Sequence, residues 1–265
     1  MTQGQRWDAR DYARNSSAQA GWARELISKL KLGGQENVLD IGSGDGKISA
    51  ELASLVPSGS VLGIDSSPEM VALASQSFPS SQYPNLRFKE MDAAHIELSN
   101  GIDVAFSNAT LHWVADHPAV LRGVRACLRV GGRLIFHMGG RGNASDVVRI
   151  AEERARSARW SRWFVGFVSP YHFLGPEEYE AWLPRHGFLA RRVELIPKDM
   201  QHDDALRLRG WLRTTWFPYA NRVPEGEREE FWDEILAAYL AAFPLDSSGR
   251  THVAMVRLEV EAEAV

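Results

Sequence analysis

Glycines alternate through Asp40-Ile41-Gly42-Ser43-Gly44-Asp45-Gly46-Lys47, with one carboxylate just before the run and one inside it. Gly42 and Gly44 permit a tight turn and let a ligand approach the backbone, which a residue with a side chain obstructs. A dinucleotide-binding turn uses GxGxxG to bring a pyrophosphate onto a helix N-terminus. Here the spacing is GxGxG, and Asp40 and Asp45 repel a pyrophosphate and attract a cation. A small molecule carrying an ammonium close to a second positive centre matches this turn in sign.

Asp65 follows the glycine turn by about 20 residues, the place from which an acid reaches ribose hydroxyls in nucleotide-binding sheets. Its competing reading is a cap for the next helix, a role for which Ser66 and Ser67 are also available. Asp92 is placed either to bond an adenine amino group or to cap its own loop. In Ser107-Asn108-Ala109-Thr110-Leu111-His112-Trp113-Val114, Trp113 offers an aromatic wall against a cation or a reactant. His112 reads either as an acid or base or as a structural hydrogen bond under the loop.

These groups need strands to hold them. Short apolar runs at 37–41, 60–65, 85–89, 102–107 and 133–138 alternate with amphipathic stretches at 47–55, 68–76 and 118–128. Strand and crossover helix in a parallel sheet produce that alternation. Ser67, Pro68 and Glu69 form a helix start, and Gly131 and Gly132 a turn into the fifth strand. Segment 191–197 reads as a sixth strand and 251–261 as a seventh, with helices at 8–30, 144–163, 176–185, 203–216 and 227–243. The predicted fold is α/β: a Rossmann-like seven-stranded, mostly parallel sheet with helices on both faces, its last two strands antiparallel, plus a helical cap. Residues 33–142, 188–198 and 250–265 form the core, 1–32 are N-terminal helices contributing to the cap, and 143–187 and 199–249 are cap insertions that select substrate.

Composition narrows the partners. A net charge of -4 gives no field that draws nucleic acid or an anionic membrane, and Arg154, Arg156, Arg159 and Arg162 are offset by nearby acids. A small-molecule substrate is expected, with no nucleic-acid or membrane partner, for a monomer or homodimer. Cys127 falls in an apolar-periodic stretch and reads as a buried small hydrophobe. No run approaches the roughly 18 apolar residues of a membrane span and the first residues lack a signal-peptide core, so cytoplasmic residence is expected. The chain has nine tryptophans, and most lie outside 36–141; they either pack helices or wall an aromatic pocket.

The glycine turn, Asp65-Ser66-Ser67-Pro68-Glu69-Met70 and Ser107 through Val114 resemble class I S-adenosylmethionine-dependent methyltransferases, within them the trans-aconitate and juvenile hormone acid methyltransferase group. The resemblance covers residues 8 to 142, and Trp211-Leu212-Arg213-Thr214-Thr215-Trp216 is similar to the cap segment of such enzymes. It implies S-adenosylmethionine as methyl donor and S-adenosylhomocysteine as product. It further implies that Asp40, Gly42 and Gly44 hold the methionine moiety, Asp65 the ribose and Asp92 with Ala93 the adenine, with Ser43, Ser66, Met70 and Asn108 as further donor-binding residues. Ser43 departs from the family, which more often has cysteine there, at a position that needs only a small side chain. Gln19, in Asn15-Ser16-Ser17-Ala18-Gln19, and Trp113 are implied at the methyl-transfer site.

Transfer from a sulfonium is an in-line displacement that needs position and exclusion of water, and no metal. A carboxylate acceptor, ionised above a pKa of about 4, needs no base but does need an anchor. The expected reaction is therefore carboxyl O-methylation of a small organic acid, with Arg213, Trp216 and Tyr219 as substrate-binding candidates from the cap. For Arg213 a solvated helix face is the competing reading. The other functional readings are O-, N- or C-methylation of another metabolite with His112 as base, and donor binding without catalysis.

Overall fold

The structure, a computed structural model, describes residues 17–265, with side chains from Gly21 onward. The first part of the expected N-terminal helical region, residues 8–16, lies outside the described residues. Its second part is helix α1, Ser17–Leu30. Then follow β1 (Asn37–Ile41), α2 (Lys47–Leu55), β2 (Ser60–Asp65), α3 (Pro68–Ser77), β3 (Leu86–Glu90), β4 (Ile102–Asn108), α4 (His117–Cys127) and β5 (Leu128–Gly139). The remaining elements are α5 (Ser145–Arg156), α6 (Pro176–Arg185), β6 (Phe188–His202), α7 (Ala205–Thr215), the short α8 (Phe217–Ala220), α9 (Arg228–Ala242) and β7 (Thr251–Ala264). Single 3-10 turns lie at Leu111–Trp113, Ser161–Trp163 and Glu225–Glu227.

The strands form one seven-stranded sheet in the order β3-β2-β1-β4-β5-β7-β6. The pairs from β3 to β5 are parallel, and β7 runs antiparallel to both β5 and β6. Alternate residues of the central strands feed two apolar layers. Leu39, Ile41, Ala105 and Phe136 pack with Val120, Leu121 and Val124 of α4. Val38, Val61, Phe106 and Ile135 pack with Leu26 of α1 and Leu52 of α2. Covering both faces is what lets parallel strands be apolar throughout, and each buried Leu, Ile or Phe contributes about 1.5–3 kcal/mol. Cys127 lies in the first layer, and burial pushes its thiol up to about 11, so it is inert packing.

A third core builds the cap. Trp160, Trp211, Trp216, Trp232, Tyr219 and Phe231 gather with Val147 and Ile150 of α5, and Met200, Val253 and Met255 reach in from β6 and β7. These four tryptophans therefore pack against the cap helices, and Trp211 and Trp216 also wall a cavity described below.

Several boundaries differ from the sequence expectation. Strand β5 begins at Leu128, so Gly131 and Gly132 lie within it, and the pairing register with β4 shifts between Ile102 and Val104. Strand β6 runs Phe188–His202 instead of 191–197, because it pairs with β7 along its whole length while one side stays half exposed. Its Pro197 is tolerated because β6 is the sheet edge. The stretch 144–163 is α-helical only over Ser145–Arg156, after which Ser157 is extended and a single 3-10 turn follows at Ser161–Trp163. Among the described residues no helix is long and apolar enough to cross a membrane.

Burial holds several histidines neutral in the folded chain at pH values where a free imidazole is protonated. His117, whose Nδ1 lies 2.7 Å from the Tyr179 hydroxyl, is pushed down to about 4, and His202 likewise to about 4. His137, its Nδ1 3.0 Å from Asn108 Oδ1, falls to about 2, with the charge of Arg257 adding to the effect of burial. Below pH 6.5 the unfolded chain binds these protons and the fold does not, so stability falls as pH drops from 6.5 toward 4. Asp40 and Asp65, raised by burial, act in the opposite sense but are outnumbered once His112, also lowered, is included. Urea unfolding at pH 5 is expected to give a clearly lower unfolding free energy than at pH 7. Equal stability at the two pH values would contradict this burial.

Candidate active site

The sheet order reverses between β1 and β4, and ligands in open sheets bind at the carboxyl ends of the strands at such a switch point. A cleft of about 620 Å³ lies there, and its walls include Gly42, Gly44, Asp65, Asp92, Thr110 and Trp113. The glycine turn is tied down by its own amides. Gly42 and Ser43 donate to the Ile64 carbonyl at 2.8 and 3.0 Å, and Gly44 donates to Asp65 Oδ2 at 3.0 Å. Asp65 Oδ1 accepts from the Ser67 amide at 2.9 Å, and Ser67, in turn, caps α3 by accepting from Met70. Asp65 thus faces the cleft while holding the turn to the end of β2.

Left-handed backbone at Gly42 (φ 76) and Gly44 (φ 52) explains the glycines. A Cβ on Gly42 would lie 2.1 Å from Thr110 Cγ2, whereas one on Gly44 would meet nothing within 4 Å. Thr110 also donates its hydroxyl to the Gly42 carbonyl at 3.1 Å. The turn is therefore clamped from the β4 side at its first glycine and open to the cleft at its second.

The source of negative charge differs from the sequence expectation. Asp40 is only 2% exposed, lies behind the turn and accepts from Ser49 Oγ at 2.6 Å. Burial raises it to about 7, opposed by the Ser49 hydrogen bond and assisted by the charge of Asp65. Asp45 pairs with Lys47 at 2.7 Å. Neither lines the cleft; Asp65, Asp92 and Asp116 do. Ser66, Met70 and Ala93 are in the lining as well, while Ser43 and Asn108 are outside it. Asp92 also fulfils its competing reading, since its Oδ1 accepts from the Ala94 amide at 2.9 Å.

A second, smaller cavity of about 40 Å³ lies on the other side of Trp113. Trp113 and Ala109 line both spaces, and Ala109 has a left-handed φ of 56 at the end of β4. Trp22, Tyr171, Phe173, Trp211 and Trp216 supply aromatic walls, and Arg257 supplies a cation. Arg257 is 3% exposed, with its guanidinium carbon 5.0 Å from the Trp22 ring centre. Tyr171 packs 4.6 Å from the Trp113 ring and donates to the Thr215 carbonyl at 2.6 Å, which joins the cap to the site.

His112 is enclosed by the rings of Trp113, Tyr171 and Phe173. Its Nδ1 accepts from the Gly139 amide at 3.4 Å. Burial, followed by the charge of Arg257, pushes it down to about 3. Of the cap candidates, Trp216 lines the second cavity and the other two line neither: Arg213 is exposed, and Tyr219 is buried against Phe164 and Phe167. Gln19 falls in the first turns of α1, and its side chain lies outside the described residues.

Thr110, Tyr171 and Arg257 were not singled out in the sequence. Only Arg257 left a signal there, as a charge in register with Val253 and Met255 on the buried face of a strand.

A seven-stranded sheet with this topology, a clamped glycine turn and an acid at the end of β2 define a Rossmann-like protein with a nucleoside-sized cleft. Comparison with known proteins makes the class specific. A family model described as "Methyltransferase domain" matches residues 32–164. An uncharacterised methyltransferase of Schizosaccharomyces pombe is 32% identical over 87% of this chain and 85% of its own length. Trans-aconitate 2-methyltransferase of Streptomyces coelicolor is 30% identical over 92% of this chain and 82% of its own length. Among solved structures, the YcgJ protein of Bacillus subtilis shares the fold at a TM-score of 0.63 and 16% identity, covering 92% of this chain and 98% of that one. The chain belongs to the S-adenosylmethionine-dependent methyltransferases of class I, in the group that includes the trans-aconitate methyltransferases. The cleft fits that donor: the backbone at Gly44 is open, carboxylates face the space, and Met70, Met91 and Val114 provide apolar surface for a base.

The two glycines should respond differently to alanine. Gly42→Ala collides with Thr110 and is expected to lower the melting temperature sharply. Gly44→Ala costs only the left-handed backbone, about 1–2 kcal/mol, yet places a methyl group in the cleft and should weaken S-adenosylhomocysteine binding at least about tenfold by calorimetry. Gly44→Ala binding as tightly as the natural chain would show that the product does not sit against this turn.

Proposed function

We propose that this enzyme methylates a carboxylate oxygen of a small, partly apolar organic acid. The observation that carries the reading is the state of His112, the residue that a hydroxyl or amine acceptor would use as its base. Its Nδ1 is occupied by a backbone amide, its ring is enclosed by aromatics, and burial holds it down to about 3. A group so reluctant to accept a proton is a poor base at neutral pH. A carboxylate arrives already ionised and needs none. The relatives named trans-aconitate 2-methyltransferase support an acid as acceptor.

In this reading the glycine turn at Gly42 and Gly44 receives the methionine part of the donor, Asp65 with Ser66 and Met70 the ribose side, and Asp92 with Ala93 the adenine. Asp40 acts from behind as a support for the turn, through Ser49. S-adenosylmethionine, when bound, supplies an electrophilic methyl group whose S–C bond breaks as the carboxylate oxygen forms its new O–C bond, leaving S-adenosylhomocysteine and an ester. Trp113 separates donor space from acceptor space and fixes the line of approach, and the cap aromatics exclude water. Gln19 is proposed to hydrogen-bond one acceptor oxygen from α1.

Purified protein with labelled donor, offered carboxylic acids, phenols and amines in parallel, is expected to label the acids. For the acid it labels best, His112→Asn should retain kcat within about threefold, and the pH profile of kcat/KM from pH 6 to 8.5 should be the same in His112→Asn as in the natural chain, because His112 does not titrate there. Labelling of phenols or amines alone, with a rate rising through pH 7 and lost in His112→Asn, would establish base-assisted methylation instead.

A further inference from the structure

The small cavity beyond Trp113 carries a more specific statement about the acceptor, and it rests on the carboxyl reading above. We infer that this cavity is the receptacle for the acceptor's reacting carboxylate, with Arg257 as its cationic anchor and the indole N–H groups of Trp211 and Trp216 as neutral donors. Arg257, Trp211 and Trp216 all line it, and each is 3% exposed or less. Both indole nitrogens are buried with no hydrogen-bond partner among the described residues. A buried N–H without a partner costs about 1–3 kcal/mol, and two of them in one wall, beside a guanidinium, form a donor-rich surface. No carboxylate is among the described lining residues.

The chemistry of the lining fits an anion and nothing positively charged. A volume of about 40 Å³ accommodates a group the size of a carboxylate and excludes an aromatic ring. Because Ala109 and Trp113 line this space and the donor cleft alike, a carboxylate seated here has one edge toward the donor. The remainder of the acid must then lie outside this small cavity. Guanidinium-to-carboxylate hydrogen bonds are roughly twice as strong as neutral ones, so the receptacle discriminates an acid from its amide, although the two have the same shape.

The experiment is a titration of benzoate and 4-methylpentanoate, and of their amides, into the protein saturated with S-adenosylhomocysteine, followed by tryptophan fluorescence. Each carboxylate is expected to bind at least about tenfold more tightly than its amide. Arg257→Met should weaken the carboxylates at least about tenfold while S-adenosylhomocysteine affinity stays within about twofold, and Arg257→Lys should fall between. Trp216→Phe keeps most of the ring, removes one N–H and should weaken carboxylates about threefold to tenfold; it decides the matter if Arg257→Met fails to fold. For an acid found to be methylated, Arg257→Lys should raise its KM more than it lowers kcat.

Carboxylates that bind no better than amides, or that bind the Arg257 and Trp216 variants as well as the natural chain, overturn the inference. The two readings fail separately. Arg257-dependent carboxylate binding without methylation of any acid keeps the receptacle and removes the reaction. Methylation of acids with KM unchanged in Arg257→Lys and Trp216→Phe keeps the reaction and removes the receptacle.

Discussion

Asp65 is the point on which the rest of the site depends. One carboxylate oxygen accepts the Gly44 amide and the other the Ser67 amide, so a single side chain joins the glycine turn, the end of β2 and the start of α3. Burial raises its pKa, and the backbone hydrogen bonds from Ser67 and Gly44 oppose that rise. Asp40, deeper still, cannot share that duty, because burial and the charge of Asp65 both raise it. The fold therefore has one acidic side chain facing the cleft, Asp65, and one behind the turn, Asp40, whose protonated form burial favours.

The sequence was most readable where local chemistry and tertiary burial agree. Strands β1 and β2 fall at the expected residues, because each is an apolar run buried on both faces, and α3 starts where Ser67, Pro68 and Glu69 direct it. Strands β5, β6 and β7 extend past their expected ends because hydrogen-bonded pairing, and not hydropathy, decides where they stop; the outer half of β6 is too exposed to leave an apolar signature. At the site, the glycine turn, Asp65 and Trp113 were recognisable from type and spacing. The burial of Asp40 and the neutralisation of Asp45 by Lys47 were not, since charge in a sequence carries no depth. Arg257 showed only as a charge on one face of a strand, because the residues around it, Trp22, Trp113 and Trp211, are all distant in the chain.

The cap and the sheet are less separate than the order of segments suggests. Strand β7 gives Val253 and Met255 to the cap core and Leu258 and Val260 to the main core, with Arg257 between them. Glu259, next on the same face, is held by Lys29 of α1 at 2.9 Å and by Arg192 of β6. A continuous strand thus links the two cores, with the buried Arg257 between them and ion pairs bracing Glu259 beside it.

Trp113 acts as a party wall, and a party wall cannot be moved for one neighbour alone. Trimming it would enlarge the cleft and the smaller cavity together. Reshaping the smaller cavity alone is therefore better done on its opposite side, at Tyr171, Phe173 or Thr215, where nothing is shared.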